Sequence, residues 1–584
     1  MHVVATAGHV DHGKSTLVQR LTGMQPDRLA EEKARGLTID LGFAWTELEG
    51  ETLAFVDVPG HERFVPNMLA GVGPVPAVMF VVAADEGWMP QSEEHLAAVD
   101  ALGVRHGLLV VTKADRADPG PAKEEALGRL AATSLGATPA VVVSGRTGEG
   151  FDDLHTELAA LVRRLSAPER DADVRLWIDR AFTVRGAGTV VTGTLAAGTL
   201  RAGTSLTVAS SGETVRVRGL QALGTDVTEA AAVSRIAINL RGTDRGRVGR
   251  GDALLMPGAW PYTGELDVRL RGDESAALPR ELVLHVGSAA TSARIRPLGV
   301  DTARLTLAHR LPLRVGDIGL LRDPGQHRVA AGVDVLDVDP PRLDRRGAAR
   351  ARAVELDGAG PAELSRMLLE RRGYVRADDL RAAGLPETGR RVGGWLADEA
   401  RWKELAARAE DVVRAWYGRD PVTAGMPAEA LRRELGLPAA DLLTRVLADT
   451  GLEVSGGVVR RAGAGLPREL ERPVGVLESR FAAEPFRAPE ADELVELDLG
   501  PRELAAAVRV GRLCRIADGV VLGPDAVTRA VQVLRGLEQP FTVSQARRAL
   551  DTTRRVAVPL LEHLDGAGVT VRDANGTRSC APGA

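Results

Sequence analysis

Over roughly the first 170 residues, short apolar runs alternate with stretches in which apolar residues recur every three or four positions. Runs at 3–5, 53–56, 77–84, 108–111 and 140–143 read as buried strands, and 91–102 reads as an amphipathic helix. This alternation predicts a doubly wound α/β domain over 1–170, with its functional loops at the carboxyl ends of the strands. From Val174 the texture changes to short β runs punctuated by glycine, LWIDRAFTVRGAGTVVTGTL, SLTVAS, TVRVRGL and SRIAINLRG. Such spacing predicts a β-barrel over 174–257. ELDVRLRG, ELVLHVG, TSARIRPL, TARLTLAH and GDIGLLRD predict a second one over 261–339. Pro340, Pro341 and the basic stretch 342–352 read as a linker. The remainder, 345–584, is helical and weakly repetitive: helix, turn, helix and two short strands recur at 425–463 and 541–578, and less clearly at 374–402 and 486–522. Four winged-helix modules are the economical reading, the last over about 525–584; a string of helical-hairpin protein-interaction repeats is the alternative.

At 584 residues with a net charge of −5, the chain is long enough for several domains and carries no global basic coat, so any RNA contact must be local. Cys514 and Cys580 lie far apart and match no metal spacing; two free thiols in a reducing compartment are expected. No secretory leader is expected, and the longest apolar strands fall far short of a membrane span. These features predict a cytoplasmic protein; a monomer is expected.

The chemistry begins after the first apolar run, at GHVDHGKST over 8–16. The pattern G-x-x-x-x-G-K-[ST] bends the chain so that backbone N–H groups face the phosphates of a nucleoside triphosphate, reinforced by the N-terminus of the following helix. Gly8 and Gly13 permit that bend, with His9, Val10, Asp11, His12 and Thr16 completing the loop. Lys14 supplies a point charge, and Ser15 offers its hydroxyl to the magnesium ion (Mg2+) that bridges the phosphates. Asp57, ending the strand-like run 53–56, suits an outer-sphere magnesium ligand, and Gly60 of DVPG can give its N–H to the γ-phosphate. Further on, TKAD places Thr112, Lys113 and Asp115 after a strand, and SGRTGEG contributes Ser144 and Gly145. A carboxylate such as Asp115 accepts both hydrogens of the guanine N1/N2 edge, a pairing adenine does not offer, so the nucleotide is read as GTP.

Four ordered motifs at this spacing resemble the translational GTPases, with GHVDHGKST as phosphate loop, the threonine of GLTID in the first switch and DVPGHE as the second switch. The resemblance implies that Thr38 joins Ser15 and Asp57 around magnesium and that His61 orients the attacking water once the ribosome presses it into place. It also implies that Val10 and Ile39 form the apolar pair holding that histidine back. His9, His12 and His95 receive no catalytic role. A general elongation factor would stop after two barrels, whereas this chain runs on for more than two hundred residues. A GTPase domain, two barrels and winged helices together resemble the SelB family, the bacterial selenocysteine-specific elongation factors. LTGMQPDRLAEEKARGLTIDLGFA, NMLAGVGPV, IDRAFTVRGAGTVVTGT and TKAD in place of the usual NKxD are similar to that family.

This resemblance implies delivery of selenocysteinyl-tRNA to the ribosome at UGA codons marked by an mRNA hairpin. It places a selenocysteine pocket on Asp179, Arg180 and Arg235, where two guanidinium groups would attract an ionised selenol and pass over the neutral hydroxyl of serine. In the last module Arg547, Arg548, Arg554, Arg555 and Arg572 are the candidates for the hairpin. Two competing readings are a regulatory GTPase whose winged helices bind DNA or protein, and a general elongation or initiation factor with an unrelated tail.

Overall fold

The computed structural model describes residues 1–26, 40–60, 65–73, 75–186, 188–419, 422–423, 425–462 and 465–581. The expectations for Thr38, Ile39 and His61 lie outside the described residues. Two compact units are present, 1–396 and 397–584.

In the first unit the apolar runs form β1 (His2–Ala7), β2 (Gly42–Leu48), β3 (Glu51–Asp57), β4 (Ala77–Ala83), β5 (His106–Thr112) and β6 (Ala140–Val142). They assemble in the order β2-β3-β1-β4-β5-β6, parallel except for β2, which runs antiparallel to β3. Helix α1 (Lys14–Thr22) starts at Gly13 in the left-handed region, φ 84°, directly after the phosphate loop. Because β1 has parallel neighbours on both sides, β3 and β4, the chain after it emerges where ligands of such sheets bind. Val3, Val4, Ala5, Phe55, Val78, Phe80 and Val110 are fully buried, which is why these strands read as continuous apolar runs rather than as alternating ones.

The span 174–257 folds into an eight-stranded antiparallel sheet plus a two-stranded ribbon, Thr199–Arg201 with Glu229–Ala231. Its edge strands, Arg175–Trp177 and Arg180–Val184, are consecutive in sequence, so the sheet curls until its edges meet around Ile178 and Asp179. The chain through that seam is tied to both sides: the Ile178 N–H donates to the Asp252 carbonyl and the Ile178 carbonyl accepts from the Gly251 N–H, while the Asp179 N–H donates to the Thr192 carbonyl. The next six strands, from Tyr262–Gly272 to Arg328–Asp337, form a closed barrel.

The stretch expected to be a linker is partly built into this unit. Residues Ala348–Leu356 are helical, and the Arg352 guanidinium is buried, donating to Asp267 at 2.8 Å and to Asp337 at 2.6 Å. Arg304 donates to the same fully buried Asp267 from the other side, at 2.7 Å. Composition alone marks an arginine run as solvated; here one of its members neutralises a buried carboxylate.

In the tail, helices followed by a short β-hairpin recur. Ala428–Glu434 and Ala440–Leu447 precede Leu452–Ser455 and Val458–Arg461; Ala491–Glu496 and Pro501–Arg509 precede Cys514–Ala517 and Val520–Leu522. Val543–Ala549 and Arg554–Gly566 precede Thr570–Arg572 and Arg578–Cys580. These hairpins are wings, which helical-hairpin repeats lack. The last two modules share one apolar core, containing Phe481, Phe486, Phe541 and Leu560. Among the described residues no helix is long and apolar enough to cross a membrane.

Candidate functional site

The phosphate loop is held open by its own chain and by two neighbours. Gly8 has φ 130°, and a Cβ there would lie 2.2 Å from the Val81 carbonyl oxygen, so only glycine fits against β4. The Gly8 N–H donates to His95 Nδ1 at 3.0 Å, and the Val10 N–H to Gln91 Oε1 at 3.1 Å. Burial pushes the His95 ring down to about 3, which keeps it neutral and able to accept. Lys14 is buried, its Nζ donating to the carbonyls of Gly8 at 2.9 Å and His9 at 2.7 Å. Burial brings its ammonium down to about 8, against the pull of Asp57 and Asp11. Thr112 closes the loop from behind, donating to the His12 carbonyl at 2.7 Å. Thr16 follows within α1.

Asp57 is fully buried; one oxygen accepts from Ser15 Oγ at 2.7 Å and the other from Thr6 Oγ1 at 2.8 Å. This pairing of hydroxyl and carboxylate is a hard-oxygen donor set that fits a magnesium ion retaining waters and phosphate oxygens. A Cβ on Gly60 would come within 2.6 Å of Lys14 Nζ and of the Val10 nitrogen, so its backbone lies against the loop. On the base side, exposed Asp115 accepts from Ser144 Oγ at 2.7 Å, a bond that holds its carboxyl below the usual range. Ser144 in turn accepts from the Thr147 N–H at 3.0 Å, so the loop containing Gly145 presents Asp115. Lys113, at φ 56°, pairs with Glu86 at 2.6 Å and Asp85 at 3.1 Å.

Asp179, Arg180 and Arg235 come together although 56 residues separate the first from the last. Strand Gly188–Leu195 lies between the two that carry the arginines, with Thr192 opposite Arg180 and Thr194 opposite Arg235. Asp179 accepts from Thr192 Oγ1 at 2.6 Å and from both terminal nitrogens of Arg235, one at 3.0 Å. Arg180 donates to Asp40. The nearby Arg250 lies 3.8 Å from Asp40; burial draws it below the usual guanidinium value, while Asp40 and Asp179 act oppositely. The Arg235 guanidinium also sits over the ring of Phe43, 3.5 Å from its centroid. A cavity of about 250 Å³ opens here, lined by Phe43, Trp45, Phe182 and Thr192 together with both arginines.

All five arginines proposed for the last module are exposed. Arg555 is nevertheless engaged on the third module, donating to the Pro489 carbonyl at 2.6 Å and pairing with Glu490 at 3.2 Å. Arg548 bonds its own helix through Ser544, at 3.4 Å.

Residues 1–164 match the elongation factor Tu GTP-binding domain, and 532–578 match the winged helix of elongation factor SelB. The chain is 32% identical to the selenocysteine-specific elongation factor of Escherichia coli (strain K12), over 98% of each. The chain belongs to the selenocysteine-specific elongation factors. It is therefore a translational GTPase that binds guanine nucleotide. The counterpart from Desulfomicrobium baculatum is 31% identical, again over 98% of both chains. The crystal structure of a bacterial selenocysteine-specific elongation factor superposes with a TM-score of 0.79 at 28% identity, each chain covered in full. Neither the regulatory GTPase nor the general factor with an unrelated tail fits a relationship that runs the length of the chain.

Several residues that shape these sites in this elongation factor carry no local signal. His95 and Gln91 sit on a helix more than eighty residues from the loop they hold. Thr6 is a strand residue, and Phe43 and Trp45 read as ordinary strand positions. Asp40 ends GLTID, a motif in which only the threonine carries a recognisable role.

Proposed function

We propose that this GTPase delivers selenocysteinyl-tRNA to the ribosome, in the cytoplasm and as a monomer, at UGA codons marked by an mRNA hairpin. The observation that carries the reading is the pair of guanidinium groups, Arg180 and Arg235, beside Asp179 at one cavity. A selenol is largely ionised at neutral pH and a serine hydroxyl is not, so two cations in a partly desolvated pocket favour the former. Of the two roles expected for Asp179, orienting the arginines or holding the amino group of the esterified residue, its bonds to Arg235 favour the first.

In the nucleotide site, Lys14 and the N–H groups of the loop bind the phosphates, Asp115 reads guanine, and Ser15 and Thr38 would hold Mg2+ with Asp57 as an outer-sphere ligand. That ion, when bound, neutralises charge developing on the phosphates. His61 positions the attacking water, and Gly60 reports the γ-phosphate. In the tail, Arg547, Arg548, Arg554 and Arg572 face the hairpin, while Arg555 serves mainly to join two modules. Tethering by the hairpin raises the local concentration of the factor at one codon, letting a weak codon contact compete with termination.

The experiment is a titration of the GTP form with selenocysteinyl-tRNA and with seryl-tRNA of the same sequence. A charge-assisted contact is worth about 1.5–3 kcal/mol, so Arg235→Ala should weaken the first by roughly 10- to 100-fold and the second far less. Equal losses for both would make Arg235 a structural arginine and end the pocket reading.

A further inference from the structure

Arg235 is held on two sides by different domains. Within its own sheet, Asp179 takes both terminal nitrogens along the guanidinium edge. The flat face is covered by Phe43, which belongs to β2 of the nucleotide domain. A ring on the face stabilises the charge through its quadrupole without consuming an N–H donor, so the remaining donors stay available to an anion in the cavity. Trp45, two residues along the same strand, lines the cavity as well.

We infer that Phe43 is a positioning residue for selenocysteine recognition: its ring fixes the orientation of Arg235, and its strand ties that orientation to the nucleotide site. The inference rests on the pocket reading proposed above. Its structural link is short. In the ladder between β2 and β3, Gly42 pairs with Asp57 and Phe43 with Val56. Asp57 is the carboxylate that receives Ser15 and Thr6. A Cβ on Gly42 would lie 3.3 Å from the Asp57 Cβ, so the two strands are in close contact at that rung. A shift of Asp57 is thus passed through one rung of the sheet to the ring beneath Arg235. The Asp40 contact to Arg180, from the residues just before β2, makes the same domain a partner of the second arginine.

The test uses the full chain in its GTP form and reads the ratio of dissociation constants for seryl-tRNA and selenocysteinyl-tRNA. Phe43→Leu keeps an apolar side chain and removes the quadrupole; the ratio should fall about fivefold, within the range expected of a partly desolvated cation–π contact. Phe43→Trp restores a stronger quadrupole and should return the ratio to the wild-type value or above it. In an Arg235→Ala background, Phe43→Leu should change the ratio no further, which separates an effect through Arg235 from a general loss of packing. If Arg235→Ala lowers the ratio but Phe43→Leu and Phe43→Trp both leave it within about 1.5-fold of wild type, the inference about Phe43 is wrong and the pocket reading stands. If Arg235→Ala weakens both tRNAs equally, the pocket reading itself has failed.

Discussion

Lys14 reaches the carbonyls of Gly8 and His9, six and five residues away in the chain, whereas Arg235 reaches Asp179 across 56 residues and Phe43 across a domain boundary. In the sites proposed above both are cations that meet an anion, yet the first is preorganised by backbone and the second by side chains. A backbone cradle needs glycines and one lysine at fixed offsets, so it leaves a sequence pattern. A side-chain cradle needs only that strands deliver the right groups to one place. The cradle around Arg235 is therefore open to tuning by side chains such as Thr192 and Phe43, in a way the phosphate loop is not.

The sharpest way to test the compact site is to separate binding from turnover. His61→Ala should leave GTP affinity nearly intact while lowering ribosome-stimulated hydrolysis by at least about 10²-fold, since a positioned proton-handling group contributes at that level. Single-turnover hydrolysis with ribosomes, beside a fluorescent-GTP titration, checks both halves. Stimulated hydrolysis at the wild-type rate would remove His61 from the mechanism.

The contrast also explains what could be read in advance. The order of α/β domain, β region and winged helices follows from apolar periodicity, because strands buried on both faces read as runs and half-buried ones alternate. The nucleotide residues are legible because their spacing is set by the backbone. For Asp179, Arg180 and Arg235 the residues do not betray their meeting; only resemblance to a family pointed there, and it said nothing of Phe43. Arg352 misled in the opposite direction, since a run of arginines gives no sign that one of them faces buried Asp267. His95 was invisible for the same reason: a histidine on a helix reads as surface or core until its partner, an amide of the phosphate loop, is in view.

That histidine offers the next largest effect, because through it the compact site depends on a distant, buried side chain. His95→Leu strands the buried Gly8 N–H, at a cost of about 1–3 kcal/mol, and should raise the dissociation constant for GTP about tenfold or more. The ring's depressed value sets a pH signature as well. Above its ordinary pKa near 6.5 the histidine is neutral in both folded and unfolded chains, and its contribution is fully present. As the pH falls toward about 3 the unfolded chain takes up a proton that the folded one refuses, so stability declines by up to about 1.4 kcal/mol per pH unit. Urea unfolding of wild type and His95→Leu between pH 7.5 and 5 should show a slope shallower by up to one proton in the variant. Identical slopes would mean the ring is not held neutral by burial.

The smallest expected effect lies in the tail, where neither kind of preorganisation is present at most of the arginines. Arg554 is exposed on the helix facing away from the shared core, while Arg555, its neighbour, is fixed to Pro489 and Glu490 of the third module. If the hairpin is bound through phosphates, removing one free contact should weaken it only a few-fold and reduce the slope of log K against log salt by about 0.7–0.9. Arg554→Ala is expected to do this. Arg555→Ala should leave the salt slope closer to wild type, because that guanidinium is already committed to protein, and should instead loosen the packing between the last two modules. The comparison is best made in the full chain, since a cut near residue 525 would split the core that Phe481 and Phe486 share with Phe541 and Leu560. Gel-shift titrations of both variants at several salt concentrations give the answer: a smaller slope for Arg555→Ala than for Arg554→Ala would reverse the assignment and make the module junction part of the RNA surface.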